Sequence, residues 1–147
     1  MKELNGIKYI ERKPTIETDH SQLFLLIHGY GSNEEDLFSF SPDLPATAHV
    51  ISVRGIYNLP FGGYSWYDIS FENNEKYMDT NQAANSKDAL VKFIDEIIIQ
   101  ENLDTNNVFI AGFSQGESIF QLRLWLRYLI TTLWIPTEMY FLITIKQ

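Results

Sequence analysis

Val108-Phe109-Ile110-Ala111 runs without a break into Gly112-Phe113-Ser114-Gln115-Gly116. The apolar run reads as a buried strand, and Gly-x-Ser-x-Gly at its end constrains what can follow. Such a turn must swing from strand into helix within a few residues. The serine sits at its apex in a strained backbone conformation, and its hydroxyl projects. Side chains two positions before and after would collide, so Gly112 and Gly116 remove them. The new helix also brings free N–H groups toward the serine, where they can bind a developing oxyanion. Ser114 is therefore the expected nucleophile. The competing reading is an ordinary strand–turn–helix that happens to contain a serine.

The rest of the chain supplies a matching framework. Ile7 to Glu11 alternates apolar and polar and reads as a first strand. Leu23-Phe24-Leu25-Leu26-Ile27 and Val50-Ile51-Ser52-Val53 are continuous apolar runs that suit buried strands of a parallel sheet. Ser32, followed by Glu34, Glu35 and Asp36, reads as a helix start. From Ser86 a second helix is expected, because Leu90, Phe93, Ile94, Ile97 and Ile98 make one apolar stripe. Residues 56 to 80 have no period and read as a long ordered loop, and such loops are usually functional. Strands alternating with helices give an α/β fold, a mostly parallel sheet with flanking helices. His28-Gly29-Tyr30-Gly31 follows a central strand, where an oxyanion loop is expected. The N–H groups of Tyr30 and Gln115 are the candidate donors. His28 reads as a structural hydrogen-bonder that shapes this loop, with a catalytic base as the minor alternative.

Composition excludes several functions. The formal net charge is -8, which argues against nucleic acid or an anionic membrane surface as the main partner. There is no cysteine, so disulfides, thiolate catalysis and zinc–sulfur sites are ruled out. No metal or organic cofactor is implied. Met1 to Gly6 lacks the apolar run of a signal peptide, and a cytoplasmic location is expected.

Three blocks resemble the phospholipase/carboxylesterase family of α/β-hydrolases, which includes bacterial carboxylesterases and acyl-protein thioesterases. They are residues 26 to 37 (Leu-Ile-His-Gly-Tyr-Gly-Ser-Asn-Glu-Glu-Asp-Leu), residues 59 to 68 (Leu-Pro-Phe-Gly-Gly-Tyr-Ser-Trp-Tyr-Asp) and residues 111 to 116 (Ala-Gly-Phe-Ser-Gln-Gly). The resemblance implies the N-terminal part of an α/β-hydrolase fold over residues 1–116, up to this elbow. It also implies hydrolysis of a small-molecule carboxylic or thioester through an acyl-serine. Phe61, Trp66 and Tyr67 would then line the acyl pocket, with core packing as the other reading of these aromatics. His28, Gly29, Gly31, Gly112 and Gly116 are motif residues of structural importance.

After Ser114 the chain departs from the family. The order Ser, Asp, His is usual in these folds, yet residues 115–147 contain neither Asp nor His. The last 31 residues also hold no Gly or Ala, whereas residues 1–116 hold all eight Gly and all six Ala. Leu122, Leu126, Leu129 and Leu133 suggest an apolar helical tail over 117–147, too charged at Arg123 and Arg127 to span a membrane. A truncated or frame-shifted gene product is the favoured reading of the tail, with a natural short relative of different function or a chain completed by a partner as the alternatives. For function, the alternatives to hydrolysis are an inactive remnant or acyl-ligand-binding or interaction domain, and a peripheral membrane protein using residues 119 to 135. The Val108–Ala111 strand would then expose its outer edge and promote self-association.

Overall fold

The computed structural model describes residues 1–121, 129–134 and 141–146. The chain begins with strands β1 (Lys2–Leu4) and β2 (Ile7–Arg12), joined by Asn5 and Gly6 at φ 52° and 78°. Asn-Gly with both residues left-handed is the favoured tight hairpin turn. Next come β3 (Leu23–Ile27), a short helix α1 (Glu35–Phe38) and β4 (His49–Val53). Residues 56 to 80 form two small antiparallel pairs. These are β5 (Tyr57–Asn58) with β6 (Tyr64–Ser65), and β7 (Ile69–Glu72) with β8 (Glu75–Met78). Helix α2 (Thr80–Gln100), strand β9 (Val108–Gly112) and helix α3 (Gln115–Gln121) follow. Two strands, β10 (Leu129–Trp134) and β11 (Phe141–Lys146), complete the described residues.

The main sheet runs β1-β2-β4-β3-β9-β11-β10. Its centre, β4-β3-β9, is parallel, while β1, β2, β11 and β10 join antiparallel. Every residue of β3 and β4 is buried, as expected for strands covered on both faces. The period of two separates those faces. Leu23, Leu25, Ile27, Ile51, Val53, Val108 and Ile110 meet Leu90, Phe93, Ile94 and Ile97 of α2. Phe24, Leu26 and Val50 lie on the other face with Leu37 of α1, where Phe24 stacks on Phe109 with ring centroids 4.6 Å apart. Helix α2 starts six residues before Ser86, because the Asp79 carboxylate accepts from the N–H groups of Asn81 and Gln82. A cap of this type stabilises a helix by ~1 kcal/mol.

The start of α1 differs from the sequence reading. Asn33 Oδ1, not Ser32, accepts from a first-turn N–H, that of Glu35, at 2.8 Å. The tail is a second correction. Leu129 and Leu133 lie in a strand rather than on a helical stripe, and Leu122 and Leu126 fall outside the described residues. Leu129–Trp134 and Phe141–Lys146 are rich in Ile, Thr and aromatic residues, which favour a pleated backbone. An open strand edge beside them offers a row of unpaired N–H and C=O groups. Accordingly β11 pairs with β9 from Phe141↔Gly112 to Ile145↔Val108. The uncovered edge expected at β9 is therefore covered, and β10 takes the end of the sheet. Helix α3 also runs across the boundary drawn at Gly116.

Candidate active site

Strand β3 lies between β4 and β9. The segment after β3 leads to α1 on one face of the sheet, and the segment after β9 leads to α3, whose Ile119 joins the opposite face. The two segments diverge to opposite faces at the carboxyl ends of the strands, the place where open α/β sheets bind ligands. His28 to Gly31 and Phe113 to Gln115 belong to these two segments.

Ser114 is exposed and has φ +53°, the strained conformation expected of the elbow. Phe113 N–H donates to the Ile27 carbonyl at 3.2 Å, and Gly116 N–H closes the turn on the Phe113 carbonyl at 2.9 Å. A Cβ on Gly116 would collide with the carbonyl oxygen of Ile27. A Cβ on Gly29 would lie 2.7 Å from Phe113 Cδ1 and 3.3 Å from its carbonyl oxygen. Both glycines thus let the β3 loop and the elbow touch backbone to backbone. Among the described residues, the N–H groups of Tyr30 and Gln115 have no hydrogen-bond partner. Two free donors thus lie in the segments that follow β3 and β9, the second directly after Ser114.

Residues 28–34 are clamped by neighbours. Gly55 N–H donates to His28 Nε2 at 2.9 Å. Because that nitrogen accepts, the ring proton sits on Nδ1 and is donated to the Gly29 carbonyl at 2.6 Å. Gly31 N–H donates to the Tyr64 carbonyl, and Tyr64 N–H returns to Ser32. Arg54 grips the buried Glu34 with Nε and Nη2, at 2.6 and 2.5 Å, and donates from Nη1 to the Tyr64 hydroxyl at 2.9 Å. The guanidinium holds the Glu34 carboxyl below its ordinary range, and Glu34 raises Arg54 in return. A lone sequence gives no signal for this pair: Glu34 reads as one of several acids at a helix start.

The Gln115 side chain is a second group that sequence reasoning missed. It is buried; its Oε1 accepts from Trp66 N–H at 3.0 Å and its Nε2 donates to the Tyr67 carbonyl at 2.7 Å. This bond pair anchors the aromatic loop to the residue after Ser114. Trp66 is wholly buried, with its indole N–H on the His28 carbonyl at 3.0 Å. Tyr67 is also in the main core. Among the described residues both aromatics belong to the core. Phe61 is different: it is 71% exposed, and its ring centre lies 6.2 Å from that of Tyr30.

None of the three histidines stands ready as a base. His20 and His49 lie at the amino ends of the parallel strands, about 16 Å from the carboxyl ends across a five-residue strand. His49 is also bound to Glu11 at 3.1 Å. His28 is at the right end, but both its nitrogens are engaged. Burial holds its pKa below the ordinary 6.5. The unfolded chain therefore binds this proton more readily, and the stability gained from neutral His28 falls as pH drops through about 6.5. Between about pH 7 and 5, His28→Gln should flatten the decline of the melting temperature. Equal slopes for both proteins would remove His28 from the titration.

Among the described residues, no cluster of three or more His, Asp or Glu could hold a metal. In the same residues, no helix is long and apolar enough to cross a membrane.

The profile of the phospholipase/carboxylesterase family matches residues 11–128. A carboxylesterase from Mesorhizobium loti superposes with a TM-score of 0.70 at 18% identity, over 86% of this chain and 57% of that one. Esterase PE8 gives a TM-score of 0.64 at 21% identity, over 78% and 55%. The Bacillus cereus carboxylesterase gives 0.56 at 25% identity, over 78% and 51%. The chain thus spans just over half the length of these structures. With an α/β-hydrolase sheet, a strained serine just after its strand β9 and a family match over most of its length, the chain belongs to the phospholipase/carboxylesterase family.

Proposed function

We propose that this chain carries the nucleophile and oxyanion hole of a serine carboxylesterase or thioesterase acting on small acyl esters. One observation supports the reading above the others: an exposed serine at φ +53° beside two unpartnered backbone donors. Ser114 Oγ attacks the ester carbonyl carbon. The N–H groups of Tyr30 and Gln115 stabilise the oxyanion. The alkoxide or thiolate leaves with a proton, and water then hydrolyses the acyl-serine. Phe61 and Tyr30 form an aromatic rim for the acyl group.

Proton transfer requires a base that the three histidines do not provide in these positions. The base and its orienting acid come from outside the described residues. Without them a serine hydroxyl is a weak nucleophile. Histidine placement also favours a second reading, an acyl-binding domain without turnover. The 147-residue chain alone is expected to hydrolyse p-nitrophenyl acetate barely above buffer, and Ser114→Ala to change this little. In a worked triad, loss of the base costs on the order of a millionfold in turnover. Ordinary esterase rates that vanish in Ser114→Ala would place a base within this chain and overturn this division of roles.

A further inference from the structure

A cleft of about 310 Å³ opens beside the clamps on residues 28–34. Its walls include Gly6 and Lys8 from the first hairpin, Arg54 and Gly55 after β4, and Asn58 and Tyr64 from the β5–β6 pair. Ser114, Gln115 and Tyr30 are not among them. The chain is strongly acidic, with 19 Asp and Glu against 11 Lys and Arg, yet no carboxylate lines this cleft. Its charged walls are Lys8, exposed and without an ion pair among the described residues, and Arg54.

Arg54 has five N–H donors. Two go to Glu34 and one to the Tyr64 hydroxyl, which leaves two for a ligand. The Glu34 carboxylate behind it opposes an incoming anion, but both its oxygens are occupied by the guanidinium. Lys8, which stands opposite Glu3 across the β1–β2 pair but makes no ion pair among the described residues, supplies a second positive charge, and the Asn58 amide adds a neutral donor. The volume is at the lower end for small-molecule sites. It suits one compact oxyanion with bound water rather than a long chain.

We propose that this cleft binds a small oxyanion, a phosphate or carboxylate group, held by Lys8 and Arg54. Its walls are also the clamps: Gly55 holds His28, Tyr64 holds Gly31 and Ser32, and Arg54 holds Glu34. An anion seated on Arg54 and beside Tyr64 therefore stiffens the loop that carries Tyr30. The proposal does not depend on ester hydrolysis, and its test reads no turnover.

The test is a titration of the ¹⁵N-labelled 147-residue chain with inorganic phosphate at constant ionic strength. Saturable shifts are expected at the amides of Gly6, Lys8, Gly55 and Asn58, with smaller ones at Gly31 and Ser32. Lys8→Gln, an exposed change that leaves the core intact, should weaken binding about tenfold, the effect of losing one charged hydrogen bond. Lys92→Gln, on the exposed side of α2, should leave it unchanged. Shifts that never saturate, shifts centred on Ser114 to Gly116, or equal losses in both variants would each overturn the site.

Discussion

Residues 1–121, joined to the downstream half of the Bacillus cereus carboxylesterase, should gain esterase turnover by about a thousandfold or more over the isolated chain. Ser114→Ala in the fusion should remove that gain. The elbow presents the hydroxyl, and the N–H groups of Tyr30 and Gln115 are free for an oxyanion. On the proposed reading, the described residues place no group to take the serine proton and no acid to orient it. In these folds both follow the serine in the order Asp, then His. If a fusion that melts cooperatively shows no turnover dependent on Ser114, the acyl-binding reading without catalysis prevails.

Gly63→Ala is the substitution with the largest expected cost in stability. Gly63 has φ +76°, and a Cβ there would strike the carbonyl oxygen of Gly31, which is backbone and cannot rotate away. The left-handed conformation costs roughly 1–2 kcal/mol for a residue with a Cβ. Forced overpacking adds about 1–3 kcal/mol. The sum, about 2–5 kcal/mol, is a large part of the stability of an ordinary domain. Gly62→Ala is the control: its φ is +94°, but nothing lies within 4 Å of a Cβ there. It should show the conformational cost without the collision. Urea unfolding of both variants would separate the two contributions. Equal midpoints would mean that the 29–32 loop moves aside freely, and that its clamping by Tyr64 is weak.

Much of the framework was legible in the sequence because it rests on local chemistry. Leu23 to Ile27 and Val108 to Ala111 are apolar throughout because they are covered on both faces. Ser114 was legible because only glycines leave room for backbone contact at such a turn. Other features depend on partners far along the chain. Glu34 meets Arg54 twenty residues later, and Gln115 reaches back to Trp66 and Tyr67. Nothing in a local window separates those residues from surface polars. Trp66 and Tyr67 were legible as a motif, but their burial follows from bonds to the His28 carbonyl and Gln115. The tail misled the helical reading because leucines at spacing four fit a helix, while Thr131, Thr132 and Ile143 to Ile145 fit a sheet edge that only the fold provides.

The bonding of Gln115 restricts which amino acids this position can accept. Its side chain must answer an N–H from Trp66 and a carbonyl from Tyr67, both buried, at one reach. Glutamate would supply two acceptors and no donor, leaving the Tyr67 carbonyl facing a negative charge. Asparagine has the right atoms on a stem one methylene shorter. Leucine fills the space and leaves both backbone groups unpaired, at roughly 1–3 kcal/mol each. The residue beside Ser114 is therefore chosen by the needs of the aromatic loop. In the proposed site only its backbone N–H meets the substrate, and that atom is common to every amino acid except proline. Substitution here would act on the site indirectly, by letting residues 66 and 67 drift from the elbow.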